Sequence, residues 1–153
     1  MSDGGNDDAG DGAECERELR SAIEELYFGY RAFTALPDEI LAERGLGRTH
    51  HRILYFVDRS PGLSVGELLG VLAVTKQAVH RPIKELEQRG LLRIDTDAGD
   101  RRVRRLTVTE EGAALESRLT TVQMRLLAKA FDGLGASAEG HWHEIMQRLA
   151  RQD

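Results

Sequence analysis

"SVGELLGVLAVTKQAVHRPIKELEQRG", residues 64–90, holds two helix starts eleven residues apart. Ser64 and Glu67 have capping-box spacing: the hydroxyl can accept an orphan amide of the first turn while the carboxylate reaches back to the cap amide, which predicts a short helix over 65–72. "AVT", residues 73–75, turns the chain. Thr75 can then cap a second helix running to about residue 89, with Gly90 suited to the stop. On that helix Val79, Ile83 and Leu86 fall on one side, and Lys76, Gln77, His80, Arg81 and Lys84 point elsewhere. Pro82 lies in its interior, where it removes the amide that would bond the carbonyl of Ala78 at a cost of about 3 kcal/mol. This predicts a bend between Ala78 and Pro82, or a helix that starts only after an irregular turn over 75–78.

Downstream, "LLRID" and "VRRLTVT" are strand-like and "TDAGD" between them has the composition of a hairpin tip, so residues 91–109 read as a two-stranded ribbon. A short helix, a tight turn, a helix with a polar outer side and a basic hairpin make a helix-turn-helix followed by a wing. The second helix has the diameter to enter the major groove of duplex DNA, where Lys and Arg donate to guanine and Gln pairs with adenine. Arg101 and Arg102 at the ribbon tip can reach phosphates or the narrow, strongly negative minor groove. Asp100 would be repelled by phosphate, and reads instead as the carboxylate that orients Arg102. The candidate DNA-contacting set is therefore Thr75, Lys76, Gln77, His80, Arg81 and Lys84 on the helix over 75–89, and Asp100, Arg101 and Arg102 on the wing.

Working outward, Leu19, Ile23, Leu26, Tyr30 and Phe33 recur at steps of four and three, which predicts one long helix from Glu14 to about Leu36, ended with the help of Pro37. Another helix is expected from Arg48 or Thr49 through "HHRILYFVDR" to the turn "SPG" at 60–62. Thr109 can cap a helix carrying Leu115, Leu119, Val122, Leu126 and Leu127, and after "GLGAS" a last helix carries Trp142, Ile145 and Leu149. The fold class expected is mainly α (α+β): a winged helix-turn-helix core with a two-stranded β wing and long N- and C-terminal dimerisation helices. The boundaries expected are an acidic disordered tail over 1–13, an N-terminal dimerisation helix and linker over 14–47, a DNA-binding lobe over 48–109, and C-terminal dimerisation helices over 110–153. Long terminal helices with apolar stripes find too little partner surface within one subunit, so a homodimer is expected, and a two-fold dimer reads an inverted repeat.

Composition is compatible with this. The 153 residues are 41% hydrophobic and 31% charged, as in one ordinary globular domain. The formal charge of −5 is accounted for entirely by Asp3, Asp7, Asp8, Asp11 and Glu14, whereas residues 75–105 carry nine Lys or Arg against five Asp or Glu, a local net of +4. No apolar run approaches a membrane span and no export signal is present, so no membrane partner and a cytoplasmic location are expected. Cys15, the only cysteine, can form no disulfide within the chain. His50-His51 and "HWH" at 141–143 have poor spacing for chelation on one helix, so no metal and no cofactor are expected. No nucleophile–base arrangement, phosphate loop or carboxylate pair supports an enzyme.

"GELLGVLAVTKQAVHRPIKELEQRGLLRI" at 66–94 and "DRRVRRLTVTEEG" at 100–112 resemble the MarR family of bacterial winged-helix regulators. Asp100 and Arg102 match the family's Asp-x-Arg wing pair, and "LTVTEEG" matches its return strand and the start of a dimerisation helix. The resemblance implies double-stranded DNA as partner, helix 75–89 in the major groove, the wing with Arg102 in the minor groove, and pairing of two subunits through their first and last helices. It also implies a small-molecule effector between the dimer helices and the winged core, where Tyr27, Tyr30, Arg31, His50, His51 and Trp142 are the candidates. Cys15 lies too near the start of the first helix to match the peroxide-sensing cysteine of some relatives. The function expected is a sequence-specific transcription regulator on a palindromic operator, a ligand-responsive repressor rather than an activator. The alternatives are a winged-helix protein-interaction module without DNA binding and a histidine-based metal sensor.

Overall fold

The structure, a computed structural model, describes residues 7–151. In chain order the elements are α1 (Asp7–Ala42), α2 (Arg48–Arg59), β1 (Leu63–Ser64), α3 (Val65–Leu72), α4 (Lys76–Gln88), β2 (Leu92–Thr96), β3 (Arg104–Val108), α5 (Glu110–Phe131) and α6 (Ala136–Ala150). Contacts divide the chain into two units, Met1–Leu36 and Pro37–Asp153.

The first unit is helical from Asp7, earlier than the Glu14 start expected; residues 1–6, the rest of the expected tail, lie outside the described residues. The acidic composition read as a mark of disorder also suits a helix N-terminus, whose dipole favours carboxylates. Leu19, Ile23 and Leu26 are 62%, 69% and 49% exposed.

Pro37 does not end α1, which continues to Ala42. Its missing amide costs about 3 kcal/mol, but Ile40 and Leu41 beyond it are buried, and burial of two such side chains contributes about 1.5–3 kcal/mol each. Tertiary burial therefore outweighs the local break.

The second unit holds one core cluster: Ile40, Leu41 and Leu46, then Ile53, Leu54 and Val57 of α2, Leu68 of α3, Val79, Ile83 and Leu86 of α4, Leu91, Leu92 and Leu106 around the sheet, and Leu115 and Leu119 of α5. Local signals set most of the element ends. Ser64 Oγ accepts from the Glu67 amide at 3.1 Å and the Ser64 amide donates to Glu67 Oε2 at 2.8 Å, completing the capping box. In α2 the third residue plays the same part with an imidazole, because the Gly47 amide donates to His50 Nδ1 at 3.0 Å. α3 ends at Ala73 in the left-handed region, φ 52°. That conformation costs a non-glycine residue about 1–2 kcal/mol, borne here because the turn to α4 is so short.

Thr75 Oγ1 accepts from the Ala78 amide at 3.4 Å, and α4 runs unbroken from Lys76 through Pro82 to Gln88. The later start over 75–78 is therefore not adopted. Gly90, at φ +71°, follows the helix and lets the Leu91 amide return to the Leu86 carbonyl at 3.0 Å.

The expected ribbon is part of a three-stranded antiparallel sheet in the order β1-β3-β2. β2 and β3 pair Leu92 with Val108 and Ile94 with Leu106, and β1 adds Leu63 opposite Leu106 and Ser64 opposite Arg105. A two-residue strand is too short to show an alternating pattern, which is why the sequence does not announce it.

Glu116 on α5 is only 7% exposed. Burial pushes its carboxyl above the ordinary range; the Thr120 hydroxyl that donates to it opposes the shift, and the neighbouring Asp58 adds to it. A carboxyl whose proton is held more tightly in the fold contributes full stability below the unfolded value near 4.5, and that contribution is lost as pH rises through the folded value. Glu116→Gln keeps an acceptor for Thr120 and removes the buried charge. Its thermal midpoint at neutral pH should rise by roughly 2–4 °C, with no gain at pH 4; a fall at neutral pH would show that the ionised carboxylate is needed.

Candidate nucleic-acid interface

The polar side of α4 and the wing meet in one groove of about 700 Å³. Lys76, His80 and Lys84 of α4 line it together with Arg102 and Arg104, above a floor that includes Val79, Ile83 and Ile94. Helical spacing puts Lys76, His80 and Lys84 on one line at intervals of four, and capping by Thr75 fixes where that line begins. The Thr75 hydroxyl is engaged in the cap. Gln77 and Arg81, also exposed, do not line the groove. Glu87 does, and is the one acidic side chain in its lining.

The wing is organised by two aspartates. Asp97 Oδ2 accepts the amides of Gly99 and Asp100, both at 3.0 Å, and its Oδ1 accepts from Arg105 Nε at 2.7 Å. Arg105 above all, then the Asp100 and Gly99 amides, hold the Asp97 carboxyl below the ordinary carboxylate range. Asp100 takes Arg102 by both ends: Oδ1 accepts the Arg102 amide at 3.0 Å and Nε at 3.2 Å, and Oδ2 accepts Nη2 at 3.2 Å. That arrangement lowers the Asp100 pKa, with the Arg102 side chain as the largest cause. The Arg102 side chain remains 91% exposed, so the carboxylate aims it without covering it. Arg101 is exposed beside it.

The four wing arginines do not act alike. Arg104 lies in the groove with Nη1 at 2.6 Å from Thr96 Oγ1. Arg105 points to the other face of β3, where Nη1 reaches the Gly62 carbonyl at 3.2 Å and Glu67 at 3.8 Å. It braces the wing against the start of α3. Arg104 was legible in principle, since alternation along a strand puts it on the side opposite Arg105.

Another residue outside the sequence-derived set is Glu85. Its Oε1 accepts from Arg81 Nε and its Oε2 pairs with His50 Nε2, both at 2.7 Å, so it ties α4 to α2. Arg81, then His50, hold its carboxyl below the ordinary range.

The candidate effector residues are divided between the two units. Tyr27, Tyr30 and Arg31 are exposed on α1, and His50 makes the contacts just described. His51 is half-buried, and burial above all lowers its pKa, with Asp38 opposing. Trp142 packs edge-on against Phe131 at 5.6 Å and lines a groove of about 600 Å³ between α5 and α6 that includes neither His50 nor His51. Among the described residues no group of three or more His, Cys, Asp or Glu could hold a metal ion, and no helix is long and apolar enough to cross a membrane.

Known proteins resemble this chain in sequence and fold. A model of the MarR family matches residues 44–103, which span α2, the helix-turn-helix and the wing tip. The chain is 38% identical over 134 residues to the HTH-type transcriptional regulator PetP of Rhodobacter capsulatus, covering 88% of this chain and 81% of PetP. Its fold is similar to the crystal structure of MarR family transcription regulator SP03579, with a TM-score of 0.77 at 22% identity over 91% of this chain and 92% of that one. It is also similar to Streptococcus pneumoniae FabT in complex with DNA, with a TM-score of 0.75 at 17% identity over 87% and 95% of the two chains. The chain belongs to the MarR family of transcription regulators, which are DNA-binding proteins and not enzymes.

Proposed function

We propose that the protein acts in the cytoplasm as a homodimer that occupies an inverted-repeat operator and represses transcription until a small molecule changes the spacing of its two reading heads. α4 enters the major groove through Lys76, Gln77, His80, Arg81 and Lys84, while Thr75 sets the helix start. Arg101 and Arg102 enter the minor groove, with Asp100 aiming Arg102. The observation that carries this reading is the shared groove: two elements joined by a strand present Lys76, Lys84, Arg102 and Arg104 to the same space. Dimerisation is supported by the apolar side chains exposed on the terminal helices, Leu19, Ile23 and Leu26 on α1 and Ile145 and Leu149 on α6. Two reading heads about 34–36 Å apart would then face successive major grooves. Repression and ligand control follow the family pattern.

The test is selection of bound fragments from the source genome followed by titration of the recovered site at increasing salt. A dimer on an inverted repeat is expected, with log affinity falling linearly against log salt by about 0.9 per neutralised phosphate. A response flat in salt would instead indicate a winged-helix module that binds protein.

A further inference from the structure

Arg81 is held from beneath by a chain of hydrogen bonds that begins outside the DNA-facing surface. The Gly47 amide donates to His50 Nδ1 at 3.0 Å, so the ring's proton is on Nε2, and Nε2 donates to Glu85 Oε2 at 2.7 Å. The other carboxylate oxygen accepts from Arg81 Nε at 2.7 Å. Burial falls steeply outward along this chain: the side chains of His50, Glu85 and Arg81 are 12%, 27% and 87% exposed. A carboxylate anchored on a mostly buried imidazole cannot follow an arginine that swings out to meet a phosphate. Ordinary surface pairs at this spacing have no such anchor and rearrange freely.

We propose that Glu85 is a positioning residue for DNA recognition, which restrains Arg81 to one pose on α4 and thereby raises the ratio of specific to non-specific binding. The proposal rests on α4 being the DNA-reading helix. Without the restraint, the Arg81 guanidinium is free to pair with whichever phosphate is near, a contact that carries no sequence information. Glutamine at position 85 cannot replace the carboxylate, because its single oxygen can serve Arg81 or His50 but its NH2 group would face the donor left over. The imidazole cannot adapt by exchanging its proton, since Nδ1 is already engaged by the Gly47 amide.

The experiment compares wild type, Glu85→Gln, Arg81→Gln and the double variant by titration against the selected operator and a scrambled duplex of equal length, over a range of salt. Thermal unfolding confirms that each is folded. For Glu85→Gln, non-specific affinity at low salt is expected to rise about 3- to 10-fold and the salt slope to steepen by about 0.9, the signature of one added phosphate contact, with no gain on the operator. In the Arg81→Gln background the same change at Glu85 should leave both affinities unchanged, because the effect acts through Arg81. An effect of equal size in that background would assign Glu85 a purely structural role in docking α4 on α2 and overturn the proposal. So would a Glu85→Gln protein whose specificity ratio and salt slope match wild type while wild type binds its operator. Loss of DNA binding by wild type itself is a different outcome, which removes the DNA reading and this inference with it.

Discussion

Replacing Gly112 with alanine is expected to destabilise the fold by about 3 kcal/mol, a fall in thermal midpoint of roughly 6–12 °C for a chain of this size. Gly112 is the third residue of α5, and a Cβ built there would lie 1.9 Å from the Leu91 carbonyl oxygen and 2.9 Å from its carbon. Neither partner can yield cheaply. Leu91 is backbone pinned between the end of α4 and β2, and its carbonyl accepts the Thr109 amide at 3.2 Å. Thr109 joins the same junction twice more, its Oγ1 donating to the Gly90 carbonyl at 2.6 Å and accepting from the Gly112 amide at 3.0 Å. Helix propensity alone points the other way, since alanine within a helix is favoured over glycine by about 1 kcal/mol. Chemical and thermal denaturation of Gly112→Ala therefore separate the two effects by sign. A variant as stable as wild type would mean that α5 does not sit this close to Leu91.

The second large effect is on DNA. Arg102→Ala should weaken binding on the order of 10- to 100-fold, the scale of one charge-assisted contact, on operator and unrelated duplexes alike, and should lower the salt slope by about 0.9. Asp100 already orients this arginine in the free protein, so little ordering remains to be done on binding. Gln77→Ala should behave differently, leaving the salt slope intact and relaxing preference at one base position by about 1–3 kcal/mol. Titrations of both variants against the operator and its single-base variants decide the matter; no change in either would remove α4 and the wing from the interface.

Much of this site was legible because its parts interact over short distances in the chain. The Asp100–Arg102 pair spans two residues and the Ser64–Glu67 box three, so both could be read as motifs. The exposed line of Lys76, His80 and Lys84 follows from helical period once Thr75 is recognised as the cap. The roles of Arg105 and Glu85 are not legible in the sequence because their partners are far away: Arg105 binds the Gly62 carbonyl across 43 residues and Glu85 meets His50 across 35. In the fold Arg105 is a brace, and the groove is lined by Arg102 and Arg104 instead.

The sequence by itself determined the helix starts at Val65, Lys76 and Glu110, the buried side of α4 and the basic hairpin, since capping and periodicity are settled within one or two turns of chain. The tertiary structure alone decided that α1 passes through Pro37, that Leu63 and Ser64 add a third strand, that Gly112 must be glycine, and which arginines face outward. Each of these turns on how closely two distant segments approach, a distance no local pattern encodes.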